Sequence, residues 1–185
     1  GVVSSHGDIL NRHMGQGLVS DVFSDSKVFD NLIGDSAIGH VRYSTTGNSD
    51  PKNVGPLTFN LGEYPISIAH NGNLVNITDT RKKLQQEGAL FQTSTDTEII
   101  VHLTAREKGK TLAEKLKKAL LKIEGAYSLL IISPNEIIAA RDPHGIRPFC
   151  MGRLKDTIIF ASETCALDLL GAEYVREVEP GEMIV

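Results

Sequence analysis

In the stretch AHNGNLVN, residues 69–76, a side-chain amide (Asn71) stands beside a residue with no Cβ (Gly72). Two readings are open. Asn-Gly is the strongest short signal for a tight hairpin turn. The same pair can offer an amide N–H and a backbone N–H to an oxygen that turns negative during acyl transfer. Glycine would allow the close approach this needs, and each such donor is typically worth about 2.7–4 kcal/mol in turnover. Arg42, in HVRYSTTG, is equally double. It suits a surface salt bridge at a strand end, a weak and common arrangement. It also suits a guanidinium fork for a carboxylate, with the Thr45 and Thr46 hydroxyls adding donors. Asp96, in TSTDTE, is favoured at a helix start by roughly 0.3–1 kcal/mol through the helix dipole, and it can equally hold an ammonium group. A basic fork and an acid together match the two α-groups of a free amino acid.

An oxyanion hole needs an attacker. The chain has two cysteines, Cys150 in the apolar PFCMG and Cys165 in ETCALDLL. Both are expected to be buried, structural thiols, as free cysteines commonly are. Neither has a sequence neighbour that would lower its pKa. No nucleophile for the Asn71-Gly72 pair is therefore expected among these residues.

Several other chemistries find no support. There is no P-loop and no G-x-G-x-x-G fingerprint. The six histidines form no HExxH and do not gather with the cysteines, so no metal site is expected. Net charge is −4, with 19 basic residues scattered along the chain, which is no footprint for nucleic acid. The longest apolar run, 129–132, is far too short for a bilayer. Two cysteines without CxxC spacing or a secretory signal point to a reducing, cytoplasmic compartment.

The elements that must position these residues follow from periodicity and punctuation. The 185 residues, 41% of them hydrophobic, suffice for one domain with a core. Strands are expected at 37–43 and 66–70, the latter from period-two alternation. Helices follow. Thr78 is read as an N-cap, with Gly88 ending that helix. Thr95 and Glu98 are read as a capping box. Leu112, Leu116, Ala119, Leu120 and Ile123 form one stripe, with lysines on the wetter side. After Gly125, short strands alternate with turns, RDPHGIRP being the densest, before a helix ending at Gly171 and a last strand. Strands, helices and strands again predict an α+β layered fold. The sequence opens on GVVSS without Met and closes on EPGEMIV, so a piece of a longer protein is expected.

Taken in order, GHVRYSTTG, AHNGNLVN, TSTDTE, RDPHGIRP and ASETCALD closely resemble the glutaminase domain of the amidophosphoribosyltransferases. The likeness covers nearly all of residues 1–185, and other class II amidotransferases share only parts of it. It implies a four-layer αββα sandwich of the amino-terminal-nucleophile hydrolase type, here without its amino-terminal strand or strands. The catalytic cysteine would lie ahead of Gly1, so these residues by themselves would bind glutamine but not cut it. Asn71 and Gly72 would form the oxyanion hole, Arg42 and Thr45 would hold the α-carboxylate, and Asp96 the α-amine. A phosphoribosyltransferase domain, using magnesium, would follow Val185 and convert phosphoribosyl pyrophosphate to 5-phosphoribosylamine in purine biosynthesis. The implied partners are glutamine, that second domain and further copies of the same chain, with no cofactor in this part. The competing expectations are another class II amidotransferase or a non-catalytic glutamine-binding module.

Overall fold

A computed structural model describes residues 1–42, 50–62 and 64–185. Two short strands open the chain, β1 (Val2–His6) and β2 (Ile9–His13), followed by two single-turn helices, α1 (Val19–Val22) and α2 (Lys27–Asp30), and strand β3 (Ser36–Gly39). A 3-10 turn at Pro51–Asn53 leads into β4 (Leu57–Leu61) and the long β5 (Tyr64–Leu74). Helices α3 (Ile77–Gln86), α4 (Thr97–Arg106) and α5 (Leu112–Leu120) come next. Strands β6 (Gly125–Ile132), β7 (Ile137–Arg141), β8 (Cys150–Leu154) and β9 (Thr157–Ala161) follow, then α6 (Cys165–Leu170), β10 (Glu173–Glu177) and β11 (Met183–Ile184).

The strands form one five-stranded sheet, ordered β11-β7-β6-β5-β4, and two three-stranded sheets, β2-β1-β3 and β10-β8-β9. Pairing throughout is antiparallel, as short connections allow. The five-stranded sheet is apolar on both faces. Ile66, Ile68, Leu129 and Ile131 pack against Ile100 of α4 and Leu112 and Leu116 of α5. On the opposite face, Ala69 and Ile132 meet Val3 and Ile38 of the first small sheet. Ala139 packs there with Phe149 and Val178, beside the second small sheet. The α+β layering is as expected.

Local expectations fare unevenly. The α5 stripe is as read, with Leu112, Leu116, Ala119 and Ile123 buried. Thr111 caps this helix by accepting from the Glu114 N–H at 3.1 Å. Helix α3 begins two residues earlier than read. Its N-cap is Asn76, not Thr78, and the Asn76 side chain is taken by Lys122 and Glu124 of the loop before β6. The N-cap of α4 is Asp96 rather than Thr95. Glu98 does turn back, but it accepts the N–H groups of Gln92 and Thr93 at 2.8 and 2.7 Å. Cys165 is exposed, against expectation, because α6 buries only Leu167.

Candidate active site

The Asn71-Gly72 pair is not a turn. Both lie inside β5, opposite Ser128 and Tyr127 of β6, and pairing continues to Leu74. The ladder overrides the local turn preference of Asn-Gly, as tertiary pairing often does. Gly72 has φ +150°, and a Cβ there would come within 2.0 Å of the Ala126 carbonyl oxygen. Only glycine fits without moving β6. The strand thus carries Asn71 towards one end of the sheet, where no described residue hydrogen-bonds its side chain.

A cavity of about 410 Å³ opens at this end of the sheet. Arg42, Asn71, Gly72 and Asp96 all line it, so every predicted site residue with a described position meets there. Thr45 lies outside the described residues, as does Thr46. Arg42 is exposed and has no acidic partner among the described residues, which removes the salt-bridge reading as far as those residues go. Asp96 is held firmly. One carboxylate oxygen accepts the Leu74 N–H at 2.9 Å, and the other lies 3.6 Å from His70 Nδ1. Burial pushes the Asp96 carboxyl up, but His70 and the N–H groups of Leu74 and Thr97 outweigh it, leaving the pKa below its ordinary value. Asp96 therefore presents a fixed negative charge to the cavity.

Sequence reading missed several of the lining residues. His40, inside the GHVRY block, binds the His70 carbonyl through Nε2 at 3.0 Å. A carbonyl partner requires the proton on Nε2, which leaves Nδ1 a bare acceptor. That atom is buried and meets no hydrogen-bond partner among the described residues. Burial, the largest influence, pushes the His40 pKa down despite the raising effect of the carbonyl bond.

Arg147 also lines the cavity, from the segment read only as turn punctuation. Its loop is built around two buried charges. The Arg141 guanidinium donates to the carbonyls of Arg147, Gly145 and Val178 at 2.8, 3.0 and 2.6 Å. Asp142, fully buried, accepts N–H groups from Tyr127, His144 and Ile146. Burial, then the Asp142 charge, drives the Tyr127 hydroxyl up to about 12. No sequence signal distinguishes the exposed Arg147 from the structural Arg141 a few positions before it.

Chemically, the cavity offers two guanidinium groups, one fixed carboxylate and an amide donor beside a glycine. Opposite charges of this kind suit a zwitterion, and the amide donor suits a polarised carbonyl. No described residue supplies an activated nucleophile. Burial raises the Cys150 thiol, and the Glu163 carboxylate, 3.3 Å away, raises that of Cys165. No group of three or more His, Cys, Asp or Glu able to hold a metal occurs among the described residues.

Fold and cavity together define an amidotransferase domain: residues 40–169 match the glutamine amidotransferase domain family, and the chain belongs to it. The relatives narrow this further. The chain is 45% identical, over its whole length, to an amidophosphoribosyltransferase of Bacillus subtilis, spanning 39% of that protein. It is 49% identical to the chloroplastic amidophosphoribosyltransferase 2 of Arabidopsis thaliana, spanning 33% of it. The solved structure of the Bacillus subtilis glutamine phosphoribosylpyrophosphate amidotransferase, complexed with ADP and GMP, superposes with a TM-score of 0.91 at 45% identity. That match covers 98% of the chain and 39% of its counterpart. The chain thus spans between a third and two fifths of the length of these relatives.

Proposed function

We propose that the chain is the glutamine-hydrolysing part of an amidophosphoribosyltransferase. The observation that carries this is the convergence of Arg42, Asn71, Gly72 and Asp96, from three separate segments, on one cavity. Arg42, with Thr45, binds the substrate α-carboxylate, and Asp96 binds the α-amine. Anchored at that end, the side-chain amide runs towards Asn71 and Gly72. A thiolate attacks the amide carbon, forming a carbon–sulfur bond and placing negative charge on the oxygen. The Asn71 amide and the Gly72 N–H stabilise that oxyanion. As the intermediate collapses, the carbon–nitrogen bond breaks and nitrogen leaves with a proton as ammonia. Water then cleaves the thioester, releasing glutamate and restoring the thiol.

The thiol belongs to a cysteine ahead of Gly1, with its own α-amine as base, as the resemblance implies. A groove of about 260 Å³ supports its placement. It lies between the edge strands β3 and β9, lined by Gly39 and His40 on one side and Ala161 and Ser162 on the other, with Asn71 among its walls. A nucleophile-bearing strand in this groove would join the two small sheets into one. Leu167 of α6 sits over Gly152 on β8, which supports an outer helical layer and so the four-layer αββα arrangement of amino-terminal-nucleophile hydrolases.

The released ammonia passes to phosphoribosyl pyrophosphate in a phosphoribosyltransferase domain of the same polypeptide, giving 5-phosphoribosylamine for purine biosynthesis. Magnesium would serve that domain, and this one needs no cofactor. The assembly is a homo-oligomer. No helix among the described residues is long and apolar enough to cross a membrane. The two free thiols suit a cytoplasmic setting, while the Arabidopsis relative is named as chloroplastic.

Asn71→Ala in the full-length protein tests the central assignment. Glutamine-dependent turnover should fall ~10²–10³-fold, with a much smaller loss when ammonia is the nitrogen source. Equal losses with both nitrogen sources would remove Asn71 from the oxyanion hole.

A further inference from the structure

The loop between Phe91 and Asp96 contains no helix or strand, yet side chains from elsewhere meet its backbone polar groups one after another. Glu98 of α4 accepts the Gln92 and Thr93 N–H groups and the Thr93 hydroxyl. Arg81 of α3 donates to the Thr93 and Thr95 carbonyls at 3.1 and 2.7 Å. The third clasp reaches in from the 3-10 turn at Pro51–Asn53. Asn53, only 3% exposed, donates from Nδ2 to Ser94 Oγ at 2.9 Å and accepts the Ser94 N–H on Oδ1 at 3.2 Å.

This last pair ties the loop to the 3-10 turn at Pro51–Asn53. Asn53 ends that turn, while Ser94 sits two residues before Asp96. Both Asn53 and Ser94 line the cavity. A charged contact gains fully only if the loop that carries it is set before the ligand arrives, because ordering a loop on binding consumes affinity. An amide is well suited to such a clasp. It supplies one donor and one acceptor at once, so both halves of the serine are met by one buried group.

We propose that Asn53 is a positioning residue. Its two-bond clasp on Ser94 holds the loop that carries Asp96 in place and so makes the cavity selective for ligands that carry an α-amine beside the α-carboxylate. The inference rests on the roles given to Arg42 and Asp96 above.

Calorimetric titration of the full-length protein with L-glutamate and with glutarate, its counterpart lacking the α-amine, separates the possibilities. Asn53→Leu should weaken L-glutamate binding ~10-fold, the loss of a little over one hydrogen bond's worth of affinity, and weaken glutarate ~2-fold or less. Ser94→Ala, a milder change that keeps the backbone bond, should weaken L-glutamate ~3-fold with the same preference. In an Asp96→Asn background, Asn53→Leu should cause no further loss. Equal weakening of both ligands, or an undiminished loss in the Asp96→Asn background, would overturn the clasp and reduce Asn53 to a packing residue. The reading beneath it has its own control. If wild-type protein binds neither ligand, or Arg42→Met leaves L-glutamate binding intact, the glutamine site itself is refuted.

Discussion

Asn71 and Asp96 face the same cavity from opposite kinds of backbone. Asn71 rides on an eleven-residue strand whose place is set by a run of ladder bonds to β6. Asp96 ends an irregular loop held by individual side chains, chiefly Glu98, Arg81 and Asn53. The loop carrying Arg147 is of the second kind, pinned by Arg141 and Asp142. A ladder is redundant, so losing one side chain barely moves the strand. A loop whose N–H and C=O groups depend on one guanidinium or one carboxylate has no such reserve, since unmet buried polar groups are costly. Position on the strand side is therefore robust to mutation, and position on the loop side is concentrated in a few side chains.

Substitutions can break this contrast, and the largest effect is expected at Arg141. Arg141→Met removes a buried cation that binds three carbonyls and pairs with Glu177 at 3.1 Å. Losing a hydrogen bond from a charged donor typically costs about 1.5–3 kcal/mol, and here three go at once, readable as a lower denaturant midpoint. Asn71→Ala should change stability by no more than ~0.5 kcal/mol, as for a substitution away from the core, despite the loss of turnover proposed for it. A comparable loss of stability from both would erase the distinction. Glu98→Gln comes next. Glutamine keeps one acceptor oxygen where the carboxylate serves Gln92 and Thr93 through two. A loss of about 1.5–3 kcal/mol is expected, with KM for glutamine rising more than kcat falls.

The smallest effect concerns pH. The Asp96 carboxyl titrates below its ordinary value of 3.8 in the folded chain. Between those two values the unfolded chain binds more protons, so stability rises with pH there. The contribution is complete above the ordinary value and disappears as pH falls through the folded one. Denaturant midpoints measured from about pH 5 to pH 3 should fall less steeply for Asp96→Asn than for wild type. Parallel curves would show that the loop does not depend on this carboxylate.

The amphipathic stripe of α5 was legible because its period matches the helix and no other force competes. The residue types at 42, 71, 72 and 96 were legible as chemistry, and the fold brings them together. Their backbone context was not. Asn71-Gly72 has the local preference of a turn, and only pairing with β6, more than fifty positions away, makes it strand. The cap at Asp96 eluded local reading because the Leu74 N–H, from a distant strand, claims its carboxylate. Arg147 in RDPHGIRP looked like a loop residue because it is, and Asn53 stands in a short 3-10 turn with no local signal of a role. Their importance lies in what the fold sets opposite them.

Among the described residues β3 and β9 each have one edge without a partner strand, which has a practical consequence for handling residues 1–185. An exposed edge offers unpaired N–H and C=O groups to any passing strand, and protein surfaces ordinarily blunt such templates. Here the groove between the edges has Phe149 and Phe160 among its apolar lining residues. Residues 1–185 expressed by themselves should therefore self-associate through strand addition as concentration rises. A peptide of alternating apolar residues that fits the groove should act as a solubilising chaperone for them.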